Sequence, residues 1–424
     1  MITIEEYRER RSRLFDKMED GSIALLFSGK AKSSTADETY PFEVNRNFYY
    51  LTGIDQEECT LMLILCQGER KEFLFVPPYD PVKEKWYGRR LKVEEASELS
   101  GIRNVVLNNS LESRLHAELT GSFNDFGSID KVYLDLSPEL KIADHTATTD
   151  YAETLKRTFP GVSVYDVYPF VARLRMVKSP AEIKELREAI RTTGLGIQAI
   201  MAAVRPGVKE YELANIFEHV INDDNARNGI SFNSIIASGS HSCTLHYPRP
   251  MDQLKVDDVL LIDVGARHHY YCGDISRTMP INGVFSEQQK IIYSIVLECN
   301  KAVASFARPG LTIKELQSFT KEYLASECLA HRLIAKKEDI DKVYFHGVSH
   351  HIGLDTHDAC DRELPLEPGN VISDEPGLYF ASLGIGVRIE DDLLITKKGA
   401  EVLSEGIIKE IGDIEAFFAN GRRR

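Results

Sequence analysis

Four acidic residues and one histidine in the second half of the chain have the types and spacing of ligands for a pair of divalent metal ions. They are Asp263, Asp274, His350, Glu375 and Glu390. The four carboxylates fall in apolar runs that predict buried strands, and a buried carboxylate without a partner is strongly destabilising. Two dications would neutralise four such groups, so the sequence predicts a dinuclear metal site.

The donor atoms of this set also indicate the metal. Carboxylate oxygens with a single imidazole favour Mn²⁺, with Co²⁺, Zn²⁺ and Fe²⁺ as alternatives, whereas zinc alone would be expected to recruit more histidine or cysteine. Two ions roughly 3.5–4 Å apart can hold a bridging hydroxide and polarise a carbonyl group at the same time. The chemistry predicted by this set is therefore metal-assisted hydrolysis.

Each pair of carboxylates fits a hairpin. Asp263 and Asp274 flank the segment HHYY, and Glu375 and Glu390 flank the glycine-rich segment SLGIG. In antiparallel strands, two residues at neighbouring positions can present their side chains on one face. Asp391 and Asp392, which follow Glu390, are interpreted as ordinary solvated acids.

Further polar residues surround these ligands in the sequence. The segment HGVSHHIGLDTHD (346–358) contains four histidines, of which His346 and His350 would share a face if the segment is helical. His351 would point elsewhere, and we assign it no role. His246 precedes a proline-rich turn and by itself is more typical of a structural histidine. Arg388 lies two residues before Glu390, so in a strand it could orient that carboxylate or bind a substrate carboxylate or carbonyl.

Composition excludes several classes of function. The formal net charge of −14 over 424 residues argues against a nucleic-acid partner, which requires a basic face. The amphipathic, charged N-terminus lacks the apolar core of a signal peptide, and no stretch has the length of a membrane span. Seven cysteines without a C-x-x-C motif are typical of reduced thiols, so we expect a cytoplasmic protein.

The chain is long enough for two domains. In residues 1–172 a helix is predicted over 4–19 and short strands over 22–28, 60–66, 72–76 and 131–136, which indicates an α/β domain. Ser179, Pro180 and Glu182 have the pattern of a capping box that begins a long helix running to about Val204. Residues 173–424 are therefore predicted to form a second, α+β domain.

The second domain carries an internal repeat. A helix, the tripeptide Arg205-Pro206-Gly207, another helix and a strand pair with two carboxylates are followed by the same order around Arg308-Pro309-Gly310. Ser286 and Gln289 form the second capping box. A duplicated unit would bring both strand pairs together about a pseudo-twofold axis, so that the four carboxylates converge.

At these residues the sequence resembles the aminopeptidase P and prolidase family of metallopeptidases, which have the pita-bread fold. The matching segments are LHY (245–247), IDVGARHHYYCGDISRT (262–278), HGVSHHIGLDTHD (346–358), DEPGLY (374–379) and VRIEDDLLIT (387–396). The segment STADETYPFEVNRNFYYLTG (34–53) is similar to the aminopeptidase P type of N-terminal domain. The resemblance thus extends over nearly the whole chain.

The resemblance implies roles for nine residues. Asp263, Asp274, His350, Glu375 and Glu390 would hold two divalent ions, with Asp274 and Glu390 bridging them. Glu375 would also move a proton from the bridging hydroxide or water toward the leaving nitrogen. His357 would stabilise the oxyanion, His246 and His346 would hold substrate polar groups, and Arg388 would steady the C-terminal side of the substrate.

Two positions depart from the family pattern. Asp374 stands where an apolar residue or threonine is expected, and an extra acid there would raise the local negative charge. Phe232 stands where relatives often have a tyrosine near the metals. These departures bear on rate and metal preference rather than on the reaction.

The predicted activity is that of an Xaa-Pro aminopeptidase, which releases the N-terminal residue from peptides with proline in second position. The nearest alternative is a prolidase that cleaves Xaa-Pro dipeptides. A metal-free, peptide-binding module and a metal-free creatine hydrolase would both be expected to have lost ligands that this chain retains, and methionine aminopeptidases usually lack the large N-terminal domain. The family also implies a homodimer or homotetramer.

Overall fold

The computed structural model describes residues 2–122, 127–136, 147–222 and 229–421. These residues divide into two compact units, one of residues 2–175 and one that begins at Met176. Within this part of the chain, no helix combines the length and the apolar character needed to cross a membrane.

The N-terminal unit is built on a six-stranded mixed sheet. Its helices are α1 (Ile4–Phe15), α2 (Arg46–Thr52), α3 (Pro81–Tyr87), α4 (Val93–Ser100), α5 (Leu111–Leu119), α6 (Ala147–Thr158) and α7 (Tyr168–Met176). Its strands are β1 (Ser22–Phe27), β2 (Ser33–Thr35), β3 (Glu38–Thr39), β4 (Thr60–Cys66), β5 (Glu69–Val76), β6 (Asn104–Leu107), β7 (Lys131–Leu134) and β8 (Ser163–Asp166). The strand order in the sheet is β6-β5-β4-β1-β7-β8.

The apolar runs recognised in the sequence form the centre of this sheet. Every residue of β4 is buried, and β1 is buried except at its last residue, because both strands have neighbours on each side. Uninterrupted apolar runs are typical of strands that are covered on both faces. The predicted helix over 4–19 ends earlier, at Phe15.

The C-terminal unit consists of small antiparallel sheets packed against long helices. Its helices are α8 (Pro180–Ala203), α9 (Glu210–Asn222), α10 (Glu287–Phe306), α11 (Ile313–Ala330) and α12 (Ile411–Gly421). Its strands are β9 (Ile235–Ser238), β10 (Val259–Val264), β11 (Arg267–His268), β12 (Tyr271–Cys272), β13 (Ile275–Pro280), β14 (Val371–Asp374), β15 (Gly377–Phe380), β16 (Ile385–Arg388), β17 (Asp391–Thr396) and β18 (Gly399–Val402). One continuous apolar core joins these helices and strands.

The predicted repeat is present in the backbone hydrogen bonds. Helices α8 and α10 each begin with the predicted capping box. Gly207 and Gly310, both at positive φ, donate their N–H groups to the carbonyls of Leu254 and Leu366, each over 2.9 Å. Glycine is required at these turns because other L-residues are strained at positive φ. Leu254 lies five residues before β10, which contains Asp263, and Leu366 lies five residues before β14, which Glu375 directly follows.

The same order of strands follows in both halves. Strand β10 is followed by the hairpin β11–β12 and pairs with β13, and β14 is followed by the hairpin β15–β16 and pairs with β17. Asp263 and Glu375 each lie four residues after the valine that begins β10 or β14. Asp274 and Glu390 each directly precede β13 or β17. The four carboxylates therefore occupy equivalent positions of the duplicated unit.

Candidate active site

All nine side chains for which the resemblance implies a role line one cavity of about 1120 Å³ in the C-terminal unit. They are Asp263, Asp274, His350, Glu375, Glu390, His246, His346, His357 and Arg388. Because they come from residues 246–390, only tertiary folding can bring them together. The structure thus assembles the predicted residues without exception, while the roles assigned to them stay predictions.

Strand register places the carboxylates. Asp263 in β10 lies opposite Ser276 in β13, so Asp274, two residues before Ser276, is a diagonal neighbour on the same face. In the second half, Gly377 lies opposite Arg388, so that Glu375 and Glu390 flank the open end of the hairpin β15–β16. The hairpin geometry predicted for both carboxylate pairs is therefore present.

The ring of His350 faces carboxylates of both halves. Its Nε2 atom lies 3.4 Å from Asp274 Oδ2 and 3.5 Å from Glu375 Oε1. Its Nδ1 atom lies 3.1 Å from the carbonyl oxygen of His351, which can only accept, so Nδ1 carries a proton. Burial lowers the pKa of His350, but its contacts with Asp274 and Glu375 outweigh burial and raise that pKa to about 9, so that without a metal ion Nε2 is protonated as well. A bound cation would replace the proton on Nε2. A histidine that ligates a metal usually donates its other ring nitrogen to such a carbonyl.

These distances fit ligands that share a cation better than they fit hydrogen bonds. Charge-assisted N–H···O bonds are usually about 2.7–2.9 Å long. Two ligands each roughly 2.1 Å from one metal ion are separated by about 3 to 3.5 Å in common coordination geometries. Ligand atoms of Asp274, His350 and Glu390 all lie within 4.8 Å of one another. The residues present therefore fit a divalent metal ion.

A second cluster of possible ligands shows the contrast. His268 Nδ1 and His269 Nδ1 lie 2.5 and 2.9 Å from the same oxygen, Glu185 Oε2, on helix α8. These are ordinary or short hydrogen-bond distances. We interpret this cluster as the anchor of the hairpin β11–β12 on α8 rather than as a metal site.

The pKa shifts of the carboxylates in the cavity also indicate a site for cations. Burial, followed by the charges of neighbouring carboxylates, raises the pKa of Glu390 well above its usual range. Burial also raises the pKa of Asp274, and it raises the pKa of Glu375 to about 7. The Oδ1 atom of Asp263 is buried without a hydrogen-bond partner. Without a cation, this group of acids must take up protons or leave charges uncompensated, which is the environment that dications stabilise.

Arg388 connects the two halves of the site. Its Nη2 donates to Asp263 Oδ2 over 2.6 Å, and its Nε donates to the hydroxyl of Ser276 over 2.8 Å. That hydroxyl in turn donates to Glu390 Oε2 over 2.8 Å. The guanidinium is buried, so it fixes the orientation of Asp263 directly and that of Glu390 through Ser276.

A hydrogen-bonded chain leads from this arginine to His346. Arg388 Nη1 donates to the hydroxyl of Tyr379 over 3.0 Å, and this hydroxyl lies 2.9 Å from His346 Nε2. His346 Nδ1 lies 2.7 Å from the carbonyl oxygen of Gly347, so Nδ1 carries the proton and Nε2 accepts from Tyr379. Burial, and then the charge of Arg388, lowers the pKa of His346 to about 4. His346 is thus held as a neutral imidazole.

His357 and His246 form the exposed rim of the cavity. The ring of His357 stacks on that of His350 with centroids 4.0 Å apart. The cavity wall still shields part of this exposed side chain from water, and this desolvation, followed by the charge of His350, lowers the pKa of His357 to about 4. His246 lies on the segment between β9 and β10, on the cavity wall. The helix considered for residues 346–350 is absent, because this segment runs in extended and bent conformations and ends in a single bridge from His351 to Ile372.

The interpretation of Asp391 and Asp392 as solvated acids is wrong, since both are buried. Burial raises the pKa of Asp391, but the charges of Arg277 and Lys409 outweigh it and lower that pKa to about 2. Asp392 accepts the backbone N–H of Asp274 over 3.2 Å. Burial, and then the charge of Asp274, raises the pKa of Asp392 well above its usual range. Sequence position at the start of a strand could not reveal that Arg277, Ser404 and Lys409 surround the Asp391 carboxylate in the folded chain.

Asp374 and Phe232, the two departures from the family pattern, lie in different environments. Asp374 is fully buried, its carboxyl oxygens have no hydrogen-bond partner, and burial raises its pKa well above the usual range. It is therefore held as a neutral acid and does not add the negative charge that the sequence suggested. Phe232 lines the cavity, as expected for a position near the ligands.

Several residues of the site had no predicted role. Tyr379 links Arg388 to His346, Ser276 links Arg388 to Glu390, and Ser373 contacts both the N–H of His350 over 2.9 Å and Glu375 Oε1 over 3.3 Å. Each lies within two to four residues of a predicted ligand in the same strand pair. Their spacing from the predicted ligands could have revealed them, because residues two or four positions apart in a strand lie on the same face of the sheet.

Comparisons with known proteins identify the family of this chain. The model of metallopeptidase family M24 matches residues 184–397, and the model of the aminopeptidase P N-terminal domain matches residues 7–124. The Xaa-Pro aminopeptidase of Escherichia coli (strain K12) is 34% identical over 451 residues, covering 100% of this chain and 99% of the relative. That of Haemophilus influenzae is 34% identical over 438 residues, covering 97% and 96%.

A solved structure extends the similarity to three dimensions. Zinc-substituted aminopeptidase P of Escherichia coli in complex with product matches with a TM-score of 0.90 at 31% identity, covering 100% of both chains. This match confirms the predicted fold class, an aminopeptidase P-like α/β N-terminal domain followed by a pita-bread domain. The chain therefore belongs to metallopeptidase family M24, and within it to the aminopeptidase P group.

Proposed function

We propose that this protein is a metal-dependent Xaa-Pro aminopeptidase, which removes the N-terminal residue from peptides whose second residue is proline. The observation that carries the proposal is the spacing of His350 Nε2 from carboxylates of both repeats, 3.4 Å to Asp274 and 3.5 Å to Glu375. The relatives that match over nearly their whole length carry the same name. A prolidase is not favoured, because the N-terminal domain and those relatives are of the aminopeptidase P type.

Two divalent ions per subunit are the cofactor that we propose, with Mn²⁺ as the expected metal and Co²⁺, Zn²⁺ or Fe²⁺ as alternatives. Asp263, Asp274, His350, Glu375 and Glu390 would hold them. Two dications match the charge of four carboxylates, and oxygen-rich donor sets favour Mn²⁺ over zinc. When bound, such ions polarise the scissile carbonyl and lower the pKa of water.

The side chains of the cavity would handle the substrate and the proton. Glu375 faces the same space as Asp274 and His350, with its Oε1 3.5 Å from His350 Nε2, and it would pass a proton from the attacking water to the leaving proline nitrogen. An Xaa-Pro bond lacks an N–H at proline, so its nitrogen must be protonated to leave.

Three histidines and an arginine would position the peptide. His357, at the exposed rim beside His350, would donate to the developing oxyanion. His346, held neutral by burial and by Arg388, and His246, which lines the same cavity, would bind substrate polar groups. Arg388 would steady Asp263 and the C-terminal side of the substrate.

We further propose a cytoplasmic homodimer or homotetramer. Tyr79, Trp86 and Tyr87, in or beside helix α3 of the N-terminal unit, are 63, 78 and 71% exposed. Clustered exposed aromatic side chains are typical of protein interfaces. All seven cysteines are free thiols, which is usual in a reducing compartment. The division of the chain into residues 1–172 and 173–424 would separate the domain with these aromatics from the catalytic domain.

A substrate comparison tests the activity. Metal-depleted and Mn²⁺-loaded protein should be assayed on an Xaa-Pro dipeptide, an Xaa-Pro-Yaa tripeptide and a matched Xaa-Ala-Yaa tripeptide. We expect cleavage of the Xaa-Pro-Yaa peptide only with metal, faster than cleavage of the dipeptide or of the alanine peptide. Strict preference for the dipeptide would establish a prolidase instead. If no divalent metal supports cleavage of any of these peptides, the proposed peptidase activity is refuted.

A further inference from the structure

The carboxylate of Glu210, the first residue of helix α9, is fully buried and is not part of the site described above. Its Oε1 accepts the backbone N–H of Ser238 over 2.8 Å and the Ser238 hydroxyl over 2.7 Å. His241 Nδ1 lies 3.3 Å from the same oxygen. Its Oε2 accepts the Tyr247 hydroxyl over 3.3 Å and the backbone N–H of Asp252 over 3.1 Å. One buried side chain thus gathers five polar contacts.

These contacts all belong to one segment of chain. Ser238 ends strand β9, and Asp252 lies seven residues before β10, so Glu210 holds both ends of residues 238–252. Between them it touches His241 and Tyr247, whose rings stack with centroids 4.3 Å apart. The backbone N–H of Glu210 also donates to the carbonyl of Asp252 over 3.0 Å.

This segment is a wall of the cavity. Leu245, His246, Tyr247, Pro248 and Pro250 all line it. His246 itself is exposed on this wall, directly before Tyr247, so its position depends on how the segment is held. Hydrogen bonds to an ionised acceptor are the stronger kind, and a buried carboxylate that loses them is left uncompensated. Glu210 and its partners therefore restrain one another.

We propose that Glu210 is a positioning residue for His246, acting through the segment 238–252. The inference rests on the proposed peptidase function. A purely structural role would make Glu210 matter for folding alone, whereas a positioning role makes its effect on catalysis depend on the presence of His246.

A double-mutant cycle tests this dependence. Glu210→Gln keeps the size of the side chain and one acceptor oxygen, but it sets an amide N–H group against one of the two backbone N–H donors, those of Ser238 and Asp252. We expect kcat/KM on an Xaa-Pro-Yaa peptide to fall roughly tenfold in Glu210→Gln with Mn²⁺ content unchanged. In a His246→Ala background the same change should cost less than about twofold, since coupled residues are not additive.

Glu212→Gln is the matched control. It makes the same substitution two residues further along helix α9, on an exposed side chain whose carboxylate accepts the backbone N–H of Lys209 over 2.8 Å. We expect no change in kcat/KM from it. If Glu210→Gln fails to fold, Ser238→Ala, which removes one donor to Oε1 and leaves the carboxylate, takes its place in the cycle. An equal loss in the presence and absence of His246 would overturn the proposal.

Hydrogen exchange provides a readout that does not require activity. In Glu210→Gln, amide exchange in residues 238–252 should rise, while exchange in β10 and β14 stays unchanged. If the unmodified protein cleaves no Xaa-Pro peptide, the proposed function fails, yet this exchange result still judges whether Glu210 holds the segment. Unchanged exchange in residues 238–252 would refute the positioning role even in an active enzyme.

Discussion

The two halves of the C-terminal unit have the same backbone plan but use it differently. Each places carboxylates at equivalent positions, Asp263 and Asp274 in the first half and Glu375 and Glu390 in the second. The hairpins between those carboxylates differ. In the first half, His268 in β11 and His269 in the turn of the hairpin β11–β12 bind Glu185 on helix α8. In the second half, the hairpin β15–β16 carries Arg388 into the cavity and holds it with the buried hydroxyl of Tyr379.

The segments that precede the carboxylate strands differ as well. In the first half this segment includes the regular strand β9 and is held by Glu210, and in the second half it is irregular and carries His346 and His350. Gln317 of helix α11 holds it, accepting the N–H of Val348 over 2.7 Å and donating to the carbonyl of His346 over 3.1 Å. The comparison indicates that the duplicated strands determine where the four carboxylates lie. The hairpins and connecting segments, which differ between the two halves, determine which other side chains surround those carboxylates.

The largest expected effect is at Glu375, the second-half carboxylate for which both metal binding and proton transfer are proposed. Glu375→Gln should lower kcat by roughly 10³-fold or more, because general acid-base and ligand functions are lost together. Asp374→Asn, the adjacent buried acid that is already neutral, should stay within roughly threefold. Steady-state kinetics with measured metal content checks both. Near-normal turnover of Glu375→Gln would remove that residue from both proposed roles.

Metal affinity tests the equivalence of the two halves. Asp274→Asn and Glu390→Gln remove equivalent carboxylates, and each should weaken Mn²⁺ binding by roughly 100-fold, measured by calorimetric titration of metal-free protein. Ser276→Ala, which removes the hydroxyl bonded to Glu390, should weaken it by about tenfold. If one of the two carboxylate variants binds Mn²⁺ normally, the symmetric description of the site is incorrect.

The pH dependence of stability should distinguish Asp391 from Asp392. These neighbouring aspartates occur only in the second half, since β17 begins with Asp391 where β13 begins with Ile275. Arg277 and Lys409 overcome burial and lower the pKa of Asp391 to about 2. A lowered pKa stabilises the fold above the unfolded pKa of about 3.9, and this contribution of about 2 to 3 kcal/mol is lost as pH falls from about 4 to 2.

Denaturant unfolding of metal-free protein between pH 2 and 7 measures this contribution. Asp391→Asn should lower the free energy of unfolding at pH 7 and flatten its decline below pH 4. Asp392→Asn should behave oppositely, because burial raises the pKa of Asp392 and a raised pKa costs stability as pH rises above the unfolded value. Equal pH profiles for the two variants would contradict the assigned protonation states.

The smallest expected effect concerns the anchor of the histidine segment. Gln317→Ala removes the contacts to Val348 and His346 and should lower kcat/KM roughly tenfold. Ser318→Ala, an exposed neighbour that bonds only the carbonyl of Lys314 through its hydroxyl, serves as the control and should be unchanged. A loss in Gln317→Ala that matches the loss in Glu210→Gln would show that both halves depend on equivalent anchors.

Much of this organisation is readable from the chain alone. The capping residues Ser179 and Ser286 mark the starts of α8 and α10, and the fully apolar run 60–66 is strand β4. The order of the repeat and the five metal-ligand candidates also follow from local pattern and spacing, whereas the roles of His246, His346, His357 and Arg388 are implied by the resemblance to the family. Such features depend on short-range propensity and on the burial preference of apolar residues, both of which a sequence displays directly.

The tertiary structure alone decided which acids carry charge and which groups hold the site in place. Asp391 is ion-paired, while Asp374 and Asp392 are kept neutral, although all three occupy strand positions that look alike in sequence. Glu210, Gln317 and Tyr379 act on partners far along the chain or across a hairpin. The physical reason is that protonation and hydrogen bonding depend on the distance to groups that folding brings near, and that distance is not encoded in neighbouring residues.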